Sequence, residues 1–165
     1  MKHLEKIYDK ILDNNSLEER LDLWRREGRT IVFSNGCFDI LHRGHVEYLS
    51  KAADLGDKLI IGLNTDDSVK RLKGPSRPVN DEKARAVVLA GLEFVDAVVF
   101  FEEDTPYNLI KSVLPDILVK GSDYKAEDIV GYDIVTEKGG KVETIELVDG
   151  FSTTKTIENL KRNDA

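Results

Sequence analysis

The sequence is poor in cysteine and has no long apolar segment. Its single cysteine, Cys37, excludes an internal disulfide and is typical of proteins in a reducing compartment. No apolar run approaches the length that crosses a bilayer, and residues 1–5 begin a polar amphipathic pattern rather than a signal peptide. We therefore expect a cytoplasmic protein that has no membrane partner.

Positive charge is also scarce. The chain carries 24 lysine and arginine residues against 31 aspartate and glutamate residues, which gives a net charge of −7. This balance argues against a nucleic-acid backbone as the main partner, although a few local cations suffice to hold a triphosphate. With 41% hydrophobic and 33% charged residues among 165, the composition is that of one globular domain with a substantial core.

Strand and helix patterns alternate over most of the chain. Short apolar runs predict five strands, at residues 30–34, 58–64, 97–101, 117–120 and 142–147. Helical patterns lie between them, while glycine and proline make the stretch 73–79 an irregular loop. The alternation predicts right-handed crossovers and an α/β fold with a mostly parallel, five-stranded sheet.

Two further helices are predicted before the first strand. Apolar residues at helical spacing indicate one over residues 4–12, and a capping-box pattern at 16–19 opens the second. We expect residues 1–28 to be an N-terminal helical extension and 29–165 to be the main domain. The extension could cover a sheet edge, form an oligomer contact or pack on its own domain, and the sequence leaves these alternatives open.

The most informative stretch follows the first predicted strand, and we call residues 34–45 the signature segment. It leads from a strand into a helix, where free N–H groups of the helix start can bind an anion. Gly36 and Gly44 would let the backbone approach a phosphate closely. His42 and His45 lie three residues apart at the helix start and can point at the same group. The segment therefore predicts a phosphate-binding turn.

Two other interpretations of the signature segment stay open. The two histidines could hold zinc, but no third ligand is obvious nearby and the glycine between them suits a phosphate better. Cys37 could be a nucleophile, although nothing beyond the helix start would activate its thiolate. A small residue in a tight turn is the simpler explanation of Cys37.

Polar clusters also follow the fourth and fifth predicted strands. Residues 120–124 come directly after one strand, and residues 150–155 come after the other at a helix start, where hydroxyls and N–H groups can bind phosphate oxygens. On its own, the second cluster would more simply be an ordinary helix cap, but together with the histidine motif it favours phosphate binding. The irregular loop at 73–79 predicts a lid that supplies Lys73, with a solvated surface loop as the alternative. Lys155 is a further candidate cation.

These residues carry a family resemblance. The pattern Gly36-x-Phe38-Asp39-x-x-His42-x-Gly44-His45 resembles the signature of the cytidylyltransferase-like nucleotidyltransferases. Enzymes of that family join a nucleoside triphosphate to a phosphorylated substrate and release pyrophosphate. The resemblance covers roughly residues 29–162 and implies a Rossmann-like three-layer sandwich of the nucleotidyltransferase type.

The resemblance also implies roles for individual residues. Catalytic roles fall to His42, His45 and Lys73. The implied nucleotide-binding residues are Ser34, Asn35, Gly36, Cys37, Phe38, Gly44, Lys120, Gly121, Asp123, Ser152, Thr153 and Thr154. The implied substrate-binding residues are Asp39, Asn64, Asp66, Arg77 and Arg85. Mg²⁺ is expected to arrive with the triphosphate rather than in a metal site of the protein, and a homodimer is expected.

Four segments point to one branch of the family. Together, residues 33–42, 71–80, 101–106 and 118–124 resemble the adenylyltransferase domain of the bifunctional ADP-heptose synthases. That domain transfers AMP from ATP to D-glycero-β-D-manno-heptose 1-phosphate for the lipopolysaccharide core. The resemblance thus implies ATP and a phosphorylated sugar as partners. The sugar-kinase domain is missing from this sequence, so we expect a stand-alone form.

Two alternative functions remain. Glycerol-3-phosphate cytidylyltransferases share the histidine motif but carry Arg-Thr before their Gly-x-Ser-Thr-Thr segment, whereas Val148-Asp149 precedes Gly150 here, which favours ATP over CTP. A non-catalytic nucleotide-binding module is the other alternative. The presence of His42 and Lys73 argues against it.

Overall fold

The structure, a computed structural model, describes residues 2–163. In this range the strands are β1 (Ile11–Leu12), β2 (Ile31–Gly36), β3 (Lys58–Asn64), β4 (Ala97–Phe101), β5 (Ile117–Gly121) and β6 (Lys141–Ile145). The helices are α1 (His3–Tyr8), α2 (Asn14–Arg26), α3 (Arg43–Ala53), α4 (Asp66–Lys73), α5 (Glu82–Ala90), α6 (Tyr107–Val113), α7 (Tyr132–Glu137) and α8 (Thr153–Asn163). The predicted α/β class is confirmed.

All the strands pair in parallel, in the order β1-β4-β3-β2-β5-β6. From β2 the chain moves outward through β3 to β4, and it then crosses over to β5 and β6 on the other side. The strand order therefore reverses between β2 and β5. Ligands of open parallel sheets bind beyond the carboxyl ends of the strands at such a reversal. The signature segment leaves β2 at this point.

Both faces of the sheet are buried, as parallel sheets require. Ile31 and Phe33 of β2 belong to the apolar cluster on one face, and Val32 between them belongs to the cluster on the other. Helix α2 packs on the first face, while α3 and α5 pack on the second. The result is the three-layer arrangement that the family resemblance implied. No helix within residues 2–163 has the length and apolar character needed to cross a membrane.

The N-terminal segment corrects two predictions. The predicted helix over 4–12 was wrong at its end, because Ile11 and Leu12 form β1 and pair with β4, which gives the described sheet six strands instead of five. A short apolar stretch fits the periodicity of a helix and that of a strand equally well. Here residues 11–12 form a strand because they pair with the edge of β4. Helix α2 begins at Asn14 rather than residue 16, because the carboxylate of Asp13 accepts a hydrogen bond from the Ser16 N–H at 2.8 Å.

The same segment contributes to the core. Leu17, Leu21 and Trp24 of α2 are buried in the cluster that contains Ile31 and Phe33. Among the three possibilities left by the sequence, α2 thus packs on the sheet of its own chain. The domain boundary at residue 28 stays a prediction.

Candidate active site

A cavity of about 670 Å³ opens at the carboxyl ends of the strands. It lies where the strand order reverses, and segments after β2, β3, β4, β5 and β6 contribute to its wall. All the residues that the sequence analysis assigned to catalysis, nucleotide binding or substrate binding line it, except Ser34, Asp66 and Arg85. The structure therefore brings 17 of those 20 residues to one cavity.

The two histidines form a stacked pair in this cavity. Their ring centroids lie 3.8 Å apart and their planes differ by 20°. His42 is the extended residue that caps α3, and His45 lies in the first turn of that helix. A Cβ atom at Gly44 would come within 3.0 Å of the His42 ring and 3.1 Å of the Phe151 Cβ atom. A larger residue at position 44 would therefore require those side chains to move by a few tenths of an ångström.

Both rings of this pair are held in their neutral form. Burial lowers the pKa of His45 to about 4, with the neighbouring His42 as a second cause, and burial also lowers the pKa of His42. The Nδ1 atoms of both rings are buried and have no hydrogen-bond partner within residues 2–163. An anion in the cavity could pair with these rings and would favour their protonated form.

The start of α8 reaches the same cavity. The Oγ atom of Ser152 accepts a hydrogen bond from the Lys155 N–H at 3.1 Å, so Ser152 caps the helix as the simpler interpretation predicted. It also lines the cavity, together with Thr153 and Thr154. The N–H groups of this helix start are therefore available to an anion lying beside the histidine pair. Lys155, the further candidate cation, does not line the cavity.

Lys120 joins the ends of the two strands between which the order reverses. Its Nζ atom donates to the main-chain oxygen of Asn35 at 3.4 Å, which connects β5 to the end of β2. Burial lowers the pKa of Lys120, although the carboxylate of Asp123 opposes the shift. Lys120 and Asp123 thus place one charge of each sign in the β5 side of the cavity.

The lid loop, which we define as residues 73–80, is docked onto the signature segment through Asp39. The carboxylate of Asp39 accepts hydrogen bonds from Arg77 Nε at 2.7 Å, from the Val79 N–H at 2.8 Å and from the Asn80 N–H at 3.0 Å. Burial by itself would raise the pKa of Asp39, but these hydrogen bonds outweigh it and lower the pKa. The carboxylate that was predicted to face the acceptor therefore holds the lid loop.

Lys73 and Arg77 of the lid loop both line the cavity. Lys73 is the last residue of α4, so the irregular part of the loop begins at Gly74 and not at residue 73 as predicted. Both side chains are thus placed where they could supply the predicted positive charge to the cavity, and the role of the loop as a lid stays a prediction. Cys37 also lines the cavity, but burial raises the pKa of its thiol, against the opposing charges of Lys73 and other nearby cations. A protonated thiol is a poor nucleophile, so the simpler explanation of Cys37 as a small residue in a turn is favoured.

Three predicted site residues do not line the cavity: Ser34, Asp66 and Arg85. Ser34 is fully buried, and its hydroxyl shares a hydrogen bond with the Tyr48 hydroxyl at 2.9 Å. Arg85 is 2% exposed and pairs with Asp66 at 2.8 Å. Their expected positions at the cavity surface are corrected accordingly, because each of these polar groups already has partners inside the protein.

The family is decided by a direct match. The family model described as cytidylyltransferase-like matches residues 33–161, which include the whole signature segment and most of α8. The chain belongs to this family. It is a nucleotidyltransferase, as the sequence predicted.

A relative from Syntrophotalea carbinolica, "Bifunctional protein HldE", is 56% identical over 161 residues. These residues are 97% of this chain but 33% of that protein, so the chain spans about a third of the length of the curated relatives it matches. The resemblance to the adenylyltransferase domain of the bifunctional ADP-heptose synthases is thereby confirmed.

Two solved structures support the fold. The lipopolysaccharide core biosynthesis protein from Thermoplasma volcanium is 30% identical with a TM-score of 0.60, and the match covers 73% of this chain and 98% of that one. A pantoate-beta-alanine ligase from Francisella tularensis, complexed with beta-gamma ATP and beta-alanine, is 15% identical with a TM-score of 0.58. That second match covers 94% of this chain and 78% of the ligase and shows the fold alone.

Several cavity residues of this nucleotidyltransferase were missed by the sequence analysis. Thr105 and Pro106 follow the end of β4 and could have been found by the strand-end argument that found Lys120. Tyr48 lies one helical turn after His45, so helix periodicity was its signal. Three further polar lining residues, Asp104, Tyr124 and Asp128, lie after β4 and β5. The remaining ones are apolar and carry no chemical signal: Leu72, Ile129, Val130, Leu147, Val148 and Phe151.

The donor groups of the site bear on the expected metal. Within residues 2–163, no three or more histidine, cysteine, aspartate or glutamate side chains are arranged to hold a metal ion. The carboxylate of Asp39, which lines the cavity, is already occupied by three N–H donors. The expectation that Mg²⁺ arrives with the triphosphate stays a prediction.

Proposed function

We propose that this nucleotidyltransferase transfers AMP from ATP to D-glycero-β-D-manno-heptose 1-phosphate, giving ADP-heptose and pyrophosphate for lipopolysaccharide core synthesis. The observation that carries the proposal is the stacked pair His42–His45, with unpaired Nδ1 atoms, in the same cavity as Lys73 and the start of α8. The 56% identity to the bifunctional relative supports the choice of AMP and heptose.

The proposed reaction needs positioning more than proton transfer. An oxygen of the sugar phosphate, already ionised, attacks the α-phosphorus of ATP, and the bond from that phosphorus to the pyrophosphate oxygen breaks. The main difficulty is to bring two anions together and to stabilise the charge that develops around the α-phosphorus. The neutral rings of His42 and His45 can each donate one N–H to the phosphate oxygens at this position.

The two substrates would lie on opposite sides of the histidine pair. The segment after β5, with Lys120 and Asp123, would hold the nucleotide, and the start of α8 would hold the leaving pyrophosphate. The segments after β3 and β4, with Asn64 and Thr105, would hold the sugar phosphate. Lys73 and Arg77 would then bring positive charge from the lid loop to the junction. Mg²⁺ would enter with ATP and reduce the charge of its phosphates.

Turnover of matched substrate pairs tests the proposal. Pyrophosphate release is measured with ATP or CTP, each combined with heptose 1-phosphate or glycerol 3-phosphate. We expect ATP with heptose 1-phosphate to give the highest kcat/KM, and ATP to raise the melting temperature more than CTP does. A preference for CTP and glycerol 3-phosphate would instead assign the chain to the cytidylyltransferases of that substrate.

The variant His45→Ala tests the role of the histidine pair in the same assay. We expect kcat to fall by about 100-fold or more with a far-UV spectrum like that of the wild type, because a donor to the transition state is lost. Lys155→Ala, outside the cavity, is the matched control and should change kcat by less than about threefold. An unchanged rate in His45→Ala would reject the proposed mechanism.

A further inference from the structure

Arg85 makes an unusual number of contacts for a residue that lies outside the cavity. Its Nη1 atom donates to the main-chain oxygens of Cys37 at 2.7 Å and Asn64 at 2.9 Å. Its Nε atom donates to the main-chain oxygen of Asn80 at 3.1 Å, and its Nη2 atom donates to the carboxylate of Asp66 at 2.8 Å. We call Arg85 and these four partners the Arg85 network.

The Arg85 network joins four separate parts of the fold. Cys37 belongs to the signature segment, Asn64 ends β3, Asp66 begins α4, and Asn80 ends the lid loop. The side chain of Arg85 is fully buried, so its charge depends on these acceptors. Only an arginine has enough donors, fixed in one plane, to serve all four acceptors at once.

Asn80 is held from two directions. Its main-chain oxygen accepts from Arg85, while its N–H donates to the Asp39 carboxylate and its side-chain amide donates to the Asp39 main-chain oxygen at 2.9 Å. Both Arg85 and Asp39 thus fix the end of the lid loop to the signature segment. The orientation of Arg77, which lies three residues earlier and pairs with Asp39, depends on the same contacts.

We propose that Arg85 is a positioning residue, which places the cations of the lid loop relative to the histidine pair without contacting either substrate. This inference rests on the proposed nucleotidyl transfer. It departs from the substrate contact that the family resemblance implied for Arg85. A misplacement of about 1 Å between reacting groups can lower a rate by about 100-fold, so a residue behind the wall can matter as much as one inside it.

The test uses Arg85→Lys, which keeps the charge but loses the planar set of donors. Lys83→Ala, an exposed position on the same helix, is the matched control. We expect Arg85→Lys to lower kcat by about 30-fold while the KM values for ATP and the sugar phosphate change by less than about threefold. A raised KM for either substrate with little change in kcat would assign Arg85 to substrate binding and overturn the proposal.

A second measurement needs no substrate. Trypsin cleavage of the Lys73–Gly74 bond, at the start of the lid loop, is followed by mass spectrometry. We expect Arg85→Lys to speed this cleavage by about tenfold, because the end of the loop is no longer held, while Lys83→Ala leaves it unchanged. Equal cleavage rates in Arg85→Lys and wild type would overturn the proposal.

The two measurements separate the inference from the function it rests on. If wild-type protein releases no pyrophosphate, the proposed function fails, while the cleavage result still decides whether the Arg85 network holds the loop. If Arg85→Lys does not fold, Asp66→Asn gives the same comparison, because it weakens one of the four contacts and leaves the other three. In that variant, faster cleavage with unchanged KM supports the proposal, and unchanged cleavage overturns it.

Discussion

At the scale of single residues, the histidine pair is the centre of the site. Its rings are stacked at 3.8 Å and are partly withdrawn from water, which makes a second positive charge there unfavourable. A neutral ring gives up attraction for an anion but retains one N–H donor that can point at a phosphate oxygen. Hydrogen bonds from these N–H groups to a bound phosphate would therefore offset the free energy lost when the rings are removed from water.

The pH dependence of stability gives a prediction for His45. Its pKa is about 4 in the folded protein and 6.5 ordinarily, so between these values the unfolded chain binds more protons. Stability from this group is thus fully present above pH 6.5 and is lost as the pH falls towards 4. We expect the free energy of unfolding to fall more steeply below pH 6.5 in wild type than in His45→Gln, by up to about 1 kcal/mol per pH unit after solvent screening.

Urea unfolding at pH 7, 6 and 5 measures this difference, since carboxylates that titrate in the same range are common to both proteins. Because the His42 ring is stacked on His45, its burial also changes in the variant, so the difference between the curves reports on the histidine pair. Parallel curves for the two proteins would contradict the burial of His45.

The positions of candidate site residues were predicted well where they follow strand ends. Gly36, Lys120 and Asn64 each follow an apolar run, and the edge of a parallel sheet brings such positions together. The roles of Asp39 and Arg85 were not predictable in this way. Their partners are mainly main-chain atoms of segments distant in sequence. Almost every residue has a main-chain N–H and oxygen, so the sequence does not indicate which of them serve as partners.

At the scale of elements, the lid loop is held more firmly than its composition suggests. Glycine and proline between residues 73 and 79 predicted an irregular loop, and the structure adds the anchor, because Asp39 binds two successive N–H groups of the loop. An irregular segment can have a fixed position when its main-chain donors are paired. The loop therefore carries Lys73 and Arg77 on a backbone that is tied at its far end.

Asp39→Asn tests this anchor. The amide has one acceptor oxygen and no charge, so the ion pair with Arg77 and part of the N–H pairing are lost. We expect the free energy of unfolding to fall by about 2 to 3 kcal/mol. Asp104→Asn is the control, because its ion pair with Arg71 is exposed and should contribute less than about 1 kcal/mol. Equal losses in the two variants, measured by urea unfolding, would argue against the anchor.

At the scale of the whole molecule, the N-terminal segment is where the sequence was least informative. The apolar residues of α2 predicted a helix but not the surface it covers, because periodicity identifies a buried face and leaves its partner undefined. Strand β1 adds an edge strand to the sheet, but it has two residues, which are too few to show the alternating pattern of a strand. Both contacts join residues 11–26 to the sheet.

This arrangement predicts that the N-terminal segment unfolds together with the sheet. Trp24 is the only tryptophan of the sequence, is 5% exposed and lies in α2, so its fluorescence reports on this contact. We expect urea transitions followed by fluorescence and by far-UV circular dichroism to coincide. Leu21→Ala should shift both transitions together by about 3 kcal/mol, while Leu23→Ala, at a 45% exposed position of the same helix, should cost less than about 1 kcal/mol. A fluorescence transition at lower urea concentration than the circular dichroism transition would contradict this prediction. It would mean that α2 can leave the sheet while the sheet stays folded, so that residues 1–28 are a separate unit.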